Sequence, residues 1–223
     1  MPHQFSTQPT ISGIVSRYSE DISWIEEMDF PITIYNKNEI PLHNSITLKN
    51  IGRESHTYLS HIVNNYPDFS DFTVFMQGSP FFHLEEGCGP KELRDLIHQN
   101  VTKNIPFKGL AWFRTKCDRF GRPHQMNDPQ SKDKWLGWGK DIPVGETFKK
   151  LFQQEPPQQF IASAMTGNFI VRKDRILCRP LSFYLNALEI ISNDPQDEFN
   201  TGHAFERLWQ LIFNGNERLN PTP

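Results

Sequence analysis

An α/β fold is what this sequence predicts: a mostly parallel twisted sheet flanked by helices, in a single domain. Three observations predict it. Short β-rich runs alternate with helical segments in the order strand, helix, strand, strand, helix, strand, a pattern that lays parallel strands side by side through helical crossovers. The chain has 223 residues, enough for one large domain and short for two. Hydrophobic residues make up 37% and charged residues 22%, so a sizeable core can be filled.

Each element has its own signal. Residues 1 to 10 are polar and read as a loose tail. "ISGIVS" (11 to 16) reads as a short buried strand, and "EDISWIEEM" as a helical turn or short helix. "ITIYN" (32 to 36) is β-rich and stops at the turn signal Asn36-Lys37-Asn38. "SITLKN" gives a third, short strand. From Glu54 to Tyr66, apolar residues at 58, 59, 62, 63 and 66 fall on one helical face, with Gly52 and Ser55 before it and Pro67 closing it. "FTVFM" follows as a strand, and "PKELRDLIHQN" (90 to 100) as a helix with Pro90 at its first position.

Residues 115 to 158 are rich in Gly, Pro, Asp, Lys and Trp and are expected to form long loops, with a short helix near Glu146 to Phe152. "FIASAMTGNFIVRKDRIL" predicts a strand, a turn at Thr166-Gly167-Asn168, and a second strand. "SFYLNALEIIS" is helical. The last helix starts near Gly202, with apolar residues at 205, 208, 209, 212 and 213 and a polar face of His203, Glu206, Arg207 and Gln210. The domain is expected to run from 11 to 215, with a second tail at 216 to 223.

Composition narrows the function classes. A net charge of −3 gives no general attraction to nucleic acid. Three cysteines without a C-x-x-C pair argue for a reducing compartment and against a disulfide scaffold or zinc ribbon. No apolar run approaches the roughly 20 residues of a membrane span, and the polar N-terminus lacks a signal-peptide core. A cytoplasmic protein without a membrane span is the expectation.

Three strand ends are polar in a related way: Ser16-Arg17-Tyr18, Asn36-Lys37 and Gln77-Gly78-Ser79. In an open α/β sheet, ligands bind beyond the carboxyl ends of the strands. There Arg17 and Lys37 would face an anionic phosphate, Tyr18 would stack on a base and Asn36 would read its edge. Arg53, beside a helix N-terminus that itself favours anions, would add a guanidinium fork. The same residues also fit an ordinary set of polar loops, with Arg53 paired to Glu20 or Asp21. His56 and His61 lack the spacing of a metal pair and read as surface or packing groups. His83 follows the polar corner, after Phe81 and Phe82. His203 and Glu206, three apart, share a helix face. Glu206 suits a general base, or equally an acid placed to complement the helix dipole.

The segments "VSRYSEDISWIEEM", "ITIYNKNE", "NIGRESHTYLSHIVNNY", "TVFMQGSPFFH", "GNFIVRKDRILCRPLSFYLNAL" and "GHAFERLWQLIF" resemble a domain-of-unknown-function family. That family in turn looks like a branch of the GT-A glycosyltransferases, which includes a small sugar-transferring domain from a large algal virus. The resemblance covers roughly residues 11 to 215. It implies a GT-A-like, Rossmann-like sheet and transfer of a sugar from a nucleotide-diphosphate donor to a saccharide or other hydroxyl acceptor. Donor-binding residues would be Arg17, Tyr18, Asn36, Lys37, Arg53, Gln77, Gly78, Ser79 and His83. Gly167, Asn168 and Arg172 would lie on the acceptor side, with His203 and Glu206 catalytic and Glu206 the base. Such enzymes commonly hold Mg²⁺ or Mn²⁺ on the diphosphate through a D-x-D motif. Here the equivalent corner "QGSP" has no carboxylate, so either metal binding is lost or another acid supplies it; Asp71, Glu85 and Glu86 do not have the expected position. The alternatives are a non-catalytic nucleotide-sugar or glycan-binding module, a metal-dependent hydrolase using His56, His83 and His203 with Glu206, and a partner-binding scaffold. The aromatic segment from Trp112 to Trp138 suits an acceptor platform or a partner interface.

Overall fold

The structure is a computed structural model that describes residues 8–122, 141–164 and 166–214. The expected C-terminal tail, most of the N-terminal one, and Trp135 and Trp138 lie outside the described residues. In chain order the strands are β1 (Ile11–Arg17), β2 (Ile32–Asn36), β3 (Ser45–Thr47), β4 (Phe72–Gln77), β5 (Phe107–Gly109), β6 (Thr115–Asp118), β7 (Gln159–Ala162) and β8 (Phe169–Arg172). The helices are α1 (Arg53–Asn65), α2 (Pro90–Thr102), α3 (Val144–Phe152), α4 (Lys173–Leu177), α5 (Leu181–Ser192) and α6 (Thr201–Asn214).

Six strands form one sheet in the order β3-β2-β1-β4-β8-β5, and β6 and β7 pair separately. β1 runs parallel to β2 and β4, and β2 runs parallel to β3. β8 is antiparallel to both β4 and β5. The sheet is therefore mostly parallel, as its order of elements predicts.

Both faces of this sheet are covered, and the period-2 alternation of the strands assigns side chains to them. Phe72, Val74 and Met76 of β4 join Val15 and Ile170 under Leu93, Ile97 and Val101 of α2. Phe75 joins Ile14, Phe169 and Val171 on the other face, under Tyr58, Leu59 and Ile62 of α1 and under α5 and α6. Phe169 is the hub of that second layer, with ring centroids 5.0 Å from Phe75 and 5.4 Å from Trp209.

Two expectations differ from the structure. The stretch from 115 to 158 contributes β6, and β5 precedes it; both are too short to show a periodic signal. β7 and β8 are not a strand pair. β7 pairs with β6, and the turn at Gly167 (φ 69°) redirects the chain so that β8 inserts between β4 and β5. On the polar face of α6, His203, Glu206 and Arg207 are buried, each less than 9% exposed. Among the described residues, no helix is long and apolar enough to cross a membrane.

Candidate functional site

From β1 the chain moves outward to β2 and β3, then returns through α1 to β4 on β1's other side. This reversal opens a crevice beyond the carboxyl ends of β1 and β4, where no connection crosses. A cavity of about 360 Å³ fills it. β1 contributes Ser16 and Arg17 and is followed by Tyr18 and Glu20; Lys37 follows β2, Arg53 and Glu54 open α1, and Gln77 and Ser79 come from the end of β4.

Local bonding fixes each of these groups. Arg17 donates to the carbonyls of Glu20 (3.0 Å) and Tyr18 (3.1 Å) and to Asn36 Oδ1 (2.9 Å). Asn36 is fully buried and donates in turn to the Ile40 carbonyl at 2.8 Å, so it braces Arg17 and a turn and does not line the cavity. Lys37 is buried, and its ammonium donates to the carbonyls of Ile51 (2.6 Å) and Arg53. An ammonium has three donors, so one remains for the cavity. Burial brings the Lys37 pKa down to about 8, with Glu54 and Asp197 pulling it up. Arg53 does not pair with Glu20 or Asp21; its Nε donates to Asp197 at 2.8 Å. Tyr18 is 48% exposed on the rim.

The corner after β4 is shaped by close approach. A Cβ on Gly78 would come within 2.7 Å of Glu20 Oε2, so only glycine lets that carboxylate pack there. Glu20 Oε2 accepts from the backbone of Tyr18 (2.6 Å) and Ser19 (3.1 Å), and Trp24 Nε1 donates to the Gly78 carbonyl at 2.8 Å. Asn168 is fully buried, and its Oδ1 accepts from the Gln77 backbone at 2.9 Å. Asn168 thus locks the corner to the turn before β8.

The residue missed by sequence reasoning is Glu54. It lines the cavity, is only 9% exposed, and its Oε1 has no hydrogen-bond partner among the described residues. Gly167 packs against it: a Cβ there would lie 2.8 Å from Glu54 Oε1. Its one sequence signal, an acid in the first turn of a helix, is equally what dipole compensation would produce. Glu206, the expected base, lies behind Glu54 and does not line the cavity. Burial holds the Glu206 carboxyl well above the ordinary range; the Glu54 charge and a hydrogen bond with Glu54 push the same way, and Arg207, 3.6 Å away, opposes them. His203 is pushed down to about 3 by burial and by Arg53 and Arg207, so it is neutral.

Two expected site residues lie apart from the others. Arg172 sits opposite Phe72, at the far end of β4, and pairs with Asp174 at 2.6 Å. It lies five residues from the level of Gln77, roughly 16 Å along the strand, because β8 runs antiparallel. His83 does not line the cavity, although the Glu54 charge reaches it; burial lowers its pKa. His56, His83 and His203 do not converge: among the described residues no three His, Cys, Asp or Glu side chains are grouped to hold a metal. With Glu20 committed to backbone N–H groups, the corner does not offer the carboxylate set that Mg²⁺ or Mn²⁺ prefers.

A second cavity, of about 810 Å³, runs along β5 between α2 and the β6–β7 pair. Trp112, 66% exposed, stands on its wall with Glu92, Arg114 and Gln210, and the Trp112 backbone donates to the His83 carbonyl at 3.2 Å.

No curated protein matches this chain. A family profile does match, and it spans residues 14–223 and so takes in every element that builds the crevice. The chain belongs to the family described as "Protein of unknown function (DUF3431)".

Proposed function

We propose that this protein is a GT-A-like glycosyltransferase, moving a sugar from a nucleotide-diphosphate donor to a saccharide or other hydroxyl acceptor. The observation that carries this reading is a nearly buried carboxylate, Glu54, in the wall of a crevice that also holds Arg17, Lys37 and Arg53. Three cations suit a diphosphate, and the strand order 3-2-1-4, with its switch point between β1 and β4, supports a phosphorylated ligand in this crevice.

In a direct displacement, the acceptor oxygen bonds to the anomeric carbon as the bond from that carbon to the phosphate oxygen breaks. The diphosphate leaves with the bonding pair, and its charge is met by Arg17, Arg53 and the third N–H of Lys37. The acceptor's proton passes to Glu54, a base already inside the crevice. The Trp112 cavity offers a ring face on which an acceptor sugar would pack.

A second reading, a binding module without turnover, is favoured by the missing carboxylate at Gln77-Gly78-Ser79. Thermal shift with nucleoside diphosphates and nucleotide sugars, followed by assay of diphosphate release, tests both readings. At 100 times the dissociation constant a ligand adds about 2.7 kcal/mol of stability. A shift that Arg17→Ala weakens, with turnover that Glu54→Gln abolishes, is expected. A shift without turnover supports the binding module, and no shift with any nucleotide overturns both.

A further inference from the structure

The N-terminal turns of α1 and α6 are pressed together. Ser55 Oγ donates to the Gly202 carbonyl at 3.3 Å, and a Cβ on Gly202 would meet the Arg53 side chain at 3.2 Å. One residue before Ser55 stands Glu54, and one turn after Gly202 stands Glu206, so the crossing brings two carboxyl groups together. Both are more than nine-tenths buried. Glu54 Oε1 has no partner among the described residues and faces Gly167, where the absence of a side chain leaves it room. Two carboxylates facing one another in such a place cannot both ionise, and one keeps its proton.

We infer that Glu54 and Glu206 hold a single proton between them, with Glu206 as the protonated partner donating to Glu54. Glu54 then faces the crevice as an oriented carboxylate, the acceptor for a proton from a ligand hydroxyl. Glu206 touches no ligand and acts through Glu54, as a positioning residue. The charge environment is consistent: the Glu54 charge acts on Tyr58 of its own helix, on Glu206 of α6, on Lys37 after β2 and on His83 after β4, while Arg207 and Arg53 act on Glu206 and on His203. Those cations favour one negative charge on the pair, and burial disfavours two. When the ligand gives up its proton, Glu54 takes it and the pair becomes doubly protonated. Release of one proton to solvent restores the starting state.

The catalytic half of this inference rests on the sugar-transfer reading; the shared proton does not. Carbon-13 NMR of protein labelled at the glutamate carboxyls separates the two. One glutamate is expected to stay protonated at pH 7, its signal lost in Glu206→Gln and its titration midpoint lowered in Glu54→Gln. Should Glu206→Gln fail to fold, the Glu54→Gln midpoint alone decides. For catalysis, Glu206→Ala is expected to move the acid limb of the rate profile to higher pH, and Glu206→Gln, which can still donate, to restore it. A spectrum with every glutamate ionised at pH 7, or a protonated signal that survives Glu206→Gln, overturns the shared proton. A nucleotide-induced thermal shift of the wild-type protein reports on the crevice independently of either result.

Discussion

The ammonium of Lys37, at the end of β2, donates to the backbone carbonyl of Arg53, the residue that opens α1. Arg53 holds φ at 51° and follows Gly52 at 57°, so two successive residues are left-handed. For a residue with a Cβ this conformation costs roughly 1–2 kcal/mol. The buried ammonium offsets that cost and sets the angle at which Glu54 enters the crevice.

Lys37→Met should therefore do more than remove a cation. It leaves the carbonyls of Ile51 and Arg53 without their donor, a loss of about 2–4 kcal/mol. Denaturant unfolding is expected to show that loss, together with weaker nucleotide binding. Unchanged stability would mean that the ammonium does not hold the loop.

Stability should peak near pH 6.5. Burial pushes His56 and His61 down to about 4 and His203 down to about 3, so unfolding below pH 6.5 takes up three protons at these histidines. Folded-state pKa values below the unfolded ones give stability that is present above pH 6.5 and lost as pH falls. Glu206 works in the opposite sense: its raised pKa means that the folded state holds a proton the unfolded state has released above about pH 4.5. Between pH 4.5 and 6.5 the histidines win by about two protons, or about 2.7 kcal/mol per pH unit. From pH 6.5 to about 8 Glu206 dominates and stability declines, and Glu206→Gln should flatten that limb in a series of urea melts; above about pH 8 the lowered Lys37 pKa works the other way, because the unfolded lysine keeps a proton that the folded one has released.

Gly167→Ala places a methyl group 2.8 Å from Glu54 Oε1 at a backbone φ of 69°. The expected cost is about 1–3 kcal/mol, accompanied by displacement of Glu54 and loss of turnover. A variant with wild-type melting and wild-type turnover would show that Glu54 has slack in this wall.

Arg172→Ala provides a contrast. Its pairing with Asp174 lies near the surface, and such pairs contribute about 0–1 kcal/mol. Nucleotide-induced thermal shifts should match wild type, because Arg172 lies at the opposite end of the sheet from the crevice.

The parallel half of the sheet was legible because β1, β2 and β4 are short β-rich runs that end in polar corners, and α1 shows a full helical stripe. Arg17, Lys37, Arg53 and Gln77 were legible as a group because parallel neighbours must bring their ends to one rim. The antiparallel half was not. β5 has three residues, and the partner of β7 depends on β6, more than forty positions earlier in the sequence. Arg172 was misplaced for the same reason, since the direction of β8 sets which rim it occupies. Glu54 was hidden by its commonplace position in a first helical turn. Only the packing of Gly167 and α6 around it separates it from any other acid at a helix start.

The indole of Trp24 is 7% exposed, and its N–H is bonded to the Gly78 carbonyl at the corner where β4 ends. The molecule therefore carries an optical reporter bonded to the corner between Gln77 and Ser79, two residues that line the crevice. An occupant that shifts the Gly78 carbonyl alters the polarity felt by that indole, and its ultraviolet emission registers the event without any attached dye.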